Sequence, residues 1–328
     1  MSRPDLSAGP ADRATTQRTG TTGTTGTTGT TGTALPTAPR GSARIPAPVL
    51  CVVAMFAVQL GIALSKPLFG QLGVGGATFL RLACAAALLL VLTRPRLRGR
   101  SARELGSTAL LGAASAGMTL LFAGAVDRLP MGTAATIEFL GPLGVALALS
   151  HRVTHLLWAL LAGGGVVLLT LLGEGGHQGG GGLDPVGLAC AFGAAACYAG
   201  YILLTDRVGA TFQGFQGLAV SLSVSAVLLA PFGAVEAWDG LTTSGSPVRL
   251  LLAVAGVALL LPVIPYALEM TALRRLPQRV FSVLVSLEPA VSALIGLLVL
   301  HQLLGAAQLA GIACVVLASL GATLSGRR

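Results

Sequence analysis

From Pro48 onward, apolar residues run in long stretches separated by short segments that hold most of the charge. Each stretch is near the ~20 residues that a helix needs to cross the hydrocarbon core of a bilayer. The pattern predicts ten such helices, at approximately 48–65, 74–93, 105–126, 131–150, 154–172, 185–205, 214–235, 249–271, 278–299 and 304–324. The fold class expected is an all-α polytopic membrane protein. Residues 1–44 break the pattern with the Thr/Gly repeat "TGTTGTTGTTGTTGT" and a Pro-rich stretch. A segment of that composition cannot bury a core and reads as a disordered tail. It also lacks the layout of a cleavable signal peptide, because the first apolar run starts too late.

The apolar runs repeat. "DRLPMGTAATIEFLGPLGVAL" (127–147) aligns with "RRLPQRVFSVLVSLEPAVSAL" (274–294) at an offset of 147 residues. Each copy has Leu-Pro followed twelve residues later by a second proline, Pro130 to Pro142 and Pro277 to Pro289. The copies define two five-helix units, 45–172 and 185–325, joined by an external Gly-rich linker at 173–184. Five is odd, so the second unit enters the membrane from the opposite side, giving two inverted repeats. The linker "GEGGHQGGGGLD" has no following GK[ST] and is no phosphate cradle.

Charge settles the orientation expected. Only 10% of residues are charged and 53% are hydrophobic, with a mean hydropathy of +0.81; soluble domains carry about 25% charged residues. The net charge of +9 could suggest nucleic acid as a partner. With both termini cytoplasmic, however, 17 of the 21 Lys and Arg fall on the inside, including the cluster Arg94, Arg96, Arg98, Arg100 and Arg103. This is the positive-inside bias of a multi-pass protein, and no nucleic-acid partner is expected. The five cysteines all fall in apolar runs without a CxxC pair or a His at ligand spacing, so neither a metal nor a cofactor is expected.

Against this apolar background a few polar groups stand out. Glu138 lies near the middle of "GTAATIEFLGPLGVALALS", at a depth where a charge costs roughly 2.5 kcal/mol or more. Pro142, four residues on, has no N–H to offer the Glu138 carbonyl. A kink, a free carbonyl and a carboxylate at one point require a cavity or a partner helix. Glu288 precedes Pro289, and Glu269 follows Pro262 and Pro265 in "LLLPVIPYALEM". Arg81 is the one basic residue expected inside a helix, so one Glu could pair with it while the others stay protonated or exchange protons. Gln59 and Tyr266 are further binding candidates, with Lys66 and Tyr201 behind them. The bland alternative is that these groups only fasten helices together.

The strings "IALSKPLF", "TFLRLACAAALLL", "IEFLGPLGVAL", "PYALEMTALRRLP" and "VSLEPAVSALIG" resemble the drug/metabolite transporter superfamily in its paired EamA-domain form. The threonine/homoserine exporter branch is the part of it they resemble, over about residues 48–325. The resemblance implies ten helices, both termini inside, and proton-driven efflux of small hydrophilic amino acids. Arg81, Glu138, Glu269 and Glu288 fall on matching motif positions, whereas "LHQLLG" lacks an acidic "GE". The function expected is therefore a secondary transporter of the cell membrane, not an enzyme, whose partners are an amino acid, protons and the lipid bilayer. A homo-oligomer is compatible with such a chain. Export of drugs or other metabolites is the alternative, because fold does not fix substrate. A membrane enzyme would need an HExxH or paired intramembrane aspartates, which the predicted helices lack.

Overall fold

The computed structural model describes residues 46–325, apart from 96–100, 149–152, 172–182, 210–214 and 274. The expected tail, most of the Gly-rich linker, and Arg96, Arg98, Arg100, Arg152 and Arg274 lie outside the described residues. Twelve α-helices and one π-helical turn make up the described secondary structure: α1 (Ala47–Thr93), α2 (Ala102–Arg128), α3 (Met131–Glu138), α4 (Leu140–Ala148), α5 (Val153–Leu171), α6 (Pro185–Gly209), α7 (Gln216–Thr243), α8 (Pro247–Ala258), the π turn Leu259–Val263, α9 (Ile264–Leu273), α10 (Gln278–Val285), α11 (Glu288–Leu300) and α12 (Ala306–Ser325). Taking α3–α4, α8–α9 and α10–α11 as continuous spans, eight helices among the described residues are long and apolar enough to cross a membrane. Leu156–Thr170, within α5, is apolar but shorter.

Local signals set the helix starts. Ser101 and Glu104 form a capping box before α2: Ser101 Oγ accepts from the Glu104 N–H at 3.2 Å, and a Glu104 carboxylate oxygen accepts from the Ser101 N–H at 2.8 Å. Asp184 accepts from the N–H groups of Val186 (2.7 Å) and Gly187 (3.0 Å) at the start of α6. The Gly187 N–H, ahead of the Val186 N–H and the Arg128 guanidinium, holds the exposed Asp184 carboxyl below the usual carboxylate range. Pro130 and Pro277 occupy matching positions before α3 and α10, with φ,ψ of −56°,137° and −57°,136°. The fixed ring φ and the missing N–H suit them to a helix start.

The structure corrects the expected loop at 66–73. Helix α1 continues through Lys66 and Pro67 and breaks only at Gly73, whose φ of 70° and ψ of 165° are non-helical. Residues 47–72 and 74–93 are thus two helical halves meeting at a glycine. Lys66 lies inside the first half and its Nζ donates to the Val126 carbonyl at 2.8 Å. The Glu236 carboxylate, on α7, accepts from the Gly76 N–H at 2.9 Å in the first turn after the break. A negative group there complements the exposed N–H groups of a starting helix. Helix α7 accordingly runs past the expected end at 235 to Thr243, carrying Glu236 to α1.

The α1–α7 crossing is close because its residues are small. A Cβ on Gly233 would strike the Gly75 carbonyl, and one on Gly240 the Gln71 carbonyl. In lipid, where burial from water does not drive helices together, such backbone approach is a main source of association. Other contacts hold the ends of α3 and α11. The Met131 N–H donates to Gln302 Oε1 at 2.9 Å, Ser292 Oγ donates to the Met131 carbonyl at 3.2 Å, and Gly132 faces Ala293 with no room for a Cβ.

Gly73→Ala should lower the thermal midpoint in detergent by the equivalent of roughly 2 kcal/mol, since a φ,ψ of 70°,165° lies in a region essentially reserved for glycine, where a Cβ costs on the order of 1–3 kcal/mol, and that Cβ meets the Glu236 carboxylate. Gly70→Ala, at a helical position with open space around it, should raise the midpoint by up to about 1 kcal/mol. Equal effects of the two changes would contradict the break.

Candidate functional site

Proline chemistry places the carboxylates. Helix α3 ends at Glu138 and α4 begins at Leu140, with Phe139 as the break between them. Pro142 cannot donate to the Glu138 carbonyl, so the helix ladder lapses at the carboxylate. In the second copy α10 ends at Val285 and α11 starts at Glu288, with Ser286 and Leu287 between them. Pro289 leaves the Val285 carbonyl without its helical donor by the same rule. The breaks at Phe139 and Ser286 share the 147-residue offset of the Leu-Pro repeats. The carboxylates do not: the position matching Glu138 is Val285, and the position matching Glu288 is Gly141. A Cβ on Gly141 would strike the Ala195 carbonyl of α6, so no side chain fits there.

A third break precedes Glu269. Leu261 is extended (φ −153°, ψ 102°) within the π turn, and Pro262 and Pro265 follow it. Gly61 of α1 packs here: a Cβ on it would lie 2.9 Å from Leu261 Cβ, too close to fit without a shift. Helix α9 then carries Glu269.

These breaks surround a cavity of about 340 Å³. Glu138, Glu269, Glu288, Arg81, Gln59 and Pro262 all line it, so the structure brings most of the sequence candidates together. Its walls also carry Tyr198, Tyr201, Ser65, Ser115 and Thr119, with Phe69, Met118 and Phe122 among the apolar side chains. Gln59 is 1% exposed; its Nε2 donates to Glu288 Oε1 at 3.4 Å, and its own Oε1 has no hydrogen-bond partner. Arg81 is 7% exposed, and no ion pair within 4.0 Å joins it to a carboxylate among the described residues. The expected Arg81–Glu pair is therefore not formed. Three acids and one base leave the lining with an excess of acidic groups, open to a cationic group or to protons.

Tyr266 is placed beside the cavity and not in its lining. Its ring packs edge-on against Phe215 with centroids 5.3 Å apart. Pro142, Pro265 and Pro289 shape the broken helices from outside the lining. Sequence reasoning missed Tyr198, Ser115 and Thr119. The signal for them was helical spacing: Ser115, Thr119 and Phe122 fall on one stripe of α2, and Tyr198 and Tyr201 on one face of α6, with ring centroids 6.4 Å apart.

Apolar helices broken around an interior cavity that holds three carboxylates define a multi-pass membrane protein of the transporter type. The model of the EamA-like transporter family matches residues 185–324. Threonine/homoserine exporter RhtA of Salmonella typhimurium and that of Escherichia coli strain K12 are each 38% identical to the chain over 282 residues, covering 85% of it and 92% of the relative. The chain belongs to the EamA-like transporter family, within the drug/metabolite transporter superfamily. A solved crystal structure shares its fold, with a TM-score of 0.56 at 20% identity, over 86% of this chain and 98% of that one.

Tyr266→Phe should leave transport unchanged, whereas Tyr266→Ala should lower the thermal midpoint by the equivalent of about 2–3 kcal/mol through lost packing. Loss of transport in the Phe variant at an unchanged midpoint would return Tyr266 to the site.

Proposed function

We propose that this protein exports small hydrophilic amino acids, threonine and homoserine among them, across the cell membrane in exchange for protons. The observation that carries the reading is one cavity, bounded by three helix breaks, that holds three carboxylates and an arginine not bound to any of them. Such a lining complements a zwitterion, and the relatives at 38% identity are named as threonine/homoserine exporters. Glu138 and its companions take up protons on one side of the membrane and release them on the other, while the substrate ammonium is drawn to the same acidic lining.

The architecture of this reading is ten spans, with α1 counted as two at Gly73 and α5 as one. They form two inverted five-helix repeats, 45–172 and 185–325, with the 1–44 tail and both termini cytoplasmic. Alternating access follows from exchange between repeat-related contacts. On the outer side the first turn of α3 is bound to α11 and its following loop through Met131, Ser292 and Gln302. On the inner side the cavity lining reaches Phe281, in the first turn of α10. In this reading export requires the Met131–Gln302 contact to part.

Efflux of labelled threonine from proteoliposomes under an imposed pH gradient tests the reading. Glu138→Gln should abolish gradient-driven efflux while its elution profile and thermal midpoint stay those of the wild type. Undiminished efflux in that variant would make Glu138 a fastener between helices. Absence of threonine movement in the wild type would remove threonine as a substrate.

A further inference from the structure

Two polar groups on the cavity wall are left incomplete, and they are of opposite kind. Gln59 is buried on the first half of α1 with its Nε2 spent on Glu288 and its Oε1 unpartnered. The neighbour fixes that orientation: turning the amide over would set its oxygen against the Glu288 carboxylate and its NH2 in the empty place. The wall there offers a carbonyl oxygen and a carboxylate, both acceptors. A primary ammonium, with three donors and no acceptor, is the group that completes them. Arg81, on the second half of α1, presents the reverse case. Its guanidinium has five donors, is buried, opens onto the same cavity, and has no ion pair among the described residues. A carboxylate is the planar acceptor that such a fork binds best.

We propose that Gln59 Oε1 and Glu288 form the ammonium seat of the cavity and Arg81 its carboxylate seat, so that the protein selects free α-amino acids by both charged ends. This rests on the export reading above and goes further by dividing the acids. Glu288 serves the substrate, whereas Glu138 and Glu269, which have no amide partner among the described residues, are left for protons. A volume of about 340 Å³ lies at the small end of ligand sites, which run from about 300 to 1,000 Å³. Both halves of α1 contribute one seat each, Gln59 before the break at Gly73 and Arg81 after it.

The test uses the purified full chain in detergent and reads the ligand-induced rise in thermal midpoint. The ligands are threonine, N-acetylthreonine, which lacks the ammonium, and threonine amide, which lacks the carboxylate. Wild type should bind threonine at least about 30-fold more tightly than either blocked ligand, as expected for loss of a charge-assisted pair. In Gln59→Met the gap between threonine and N-acetylthreonine should narrow while the gap to the amide persists, because one of the two ammonium acceptors has been removed and Glu288 remains. Arg81→Gln should do the converse. Gln59→Glu, which keeps an acceptor at that place, should retain discrimination against N-acetylthreonine, and it serves as the folded control if the Met variant fails to fold. Equal weakening of all three ligands in Gln59→Met, or a wild type that binds N-acetylthreonine as well as threonine, would overturn the two seats and leave amino-acid export standing. A wild type stabilised by no amino acid would overturn both.

Discussion

Inside a bilayer, a backbone carbonyl or N–H released from a helix has no water to bond, so a broken helix is tolerated only where protein or a wet cavity takes up the freed groups. Much in this chain follows from that constraint. The interruptions at Phe139, at Ser286–Leu287 and at Leu261 are flanked by Glu138, Val285, Glu288 and Pro262, all on one cavity wall. A helix that breaks there must face inward, and its inward face is where a carboxylate can be kept. The prolines cause the breaks; the cavity makes both the breaks and the charges affordable.

The fourth break works differently. Gly73 interrupts α1 away from the acids, and the Glu236 carboxylate meets the freed N–H of Gly76. A side chain from α7 thus does for that helix start what Asp184 does for α6 and Ser101 for α2. The backbone on either side of Gly73 also packs against Gly233 and Gly240, so the polar cap and the close α1–α7 crossing support each other. Gln59 and Arg81, which both line the cavity, sit on the two halves so joined.

The class of the fold was legible because apolar length and helix-breaking residues are local properties. The Leu-Pro repeats marked the starts of α3 and α10, and Pro142 and Pro289 each lie three residues past the breaks at Phe139 and Ser286. What misled was also local. Lys66 and Pro67 read as a loop, yet the lysine ammonium reaches the Val126 carbonyl from within a continuing helix. Glu236 gave no warning, since its role depends on where α7 crosses α1. The same holds for the packing of Tyr266 on Phe215. Arg81 was legible as a buried base but not as one without a carboxylate beside it, because pairing is decided by distances between helices far apart in sequence.

Exchange of substrate for protons has a direct signature in the pH of a closed compartment. Proteoliposomes holding threonine and a trapped pH dye, clamped with potassium and valinomycin, would be diluted into threonine-free medium. Proton-coupled export through the carboxylate-lined cavity predicts that the lumen acidifies as threonine leaves, and that vesicles without protein show no change. Threonine efflux at a constant lumen pH would contradict it.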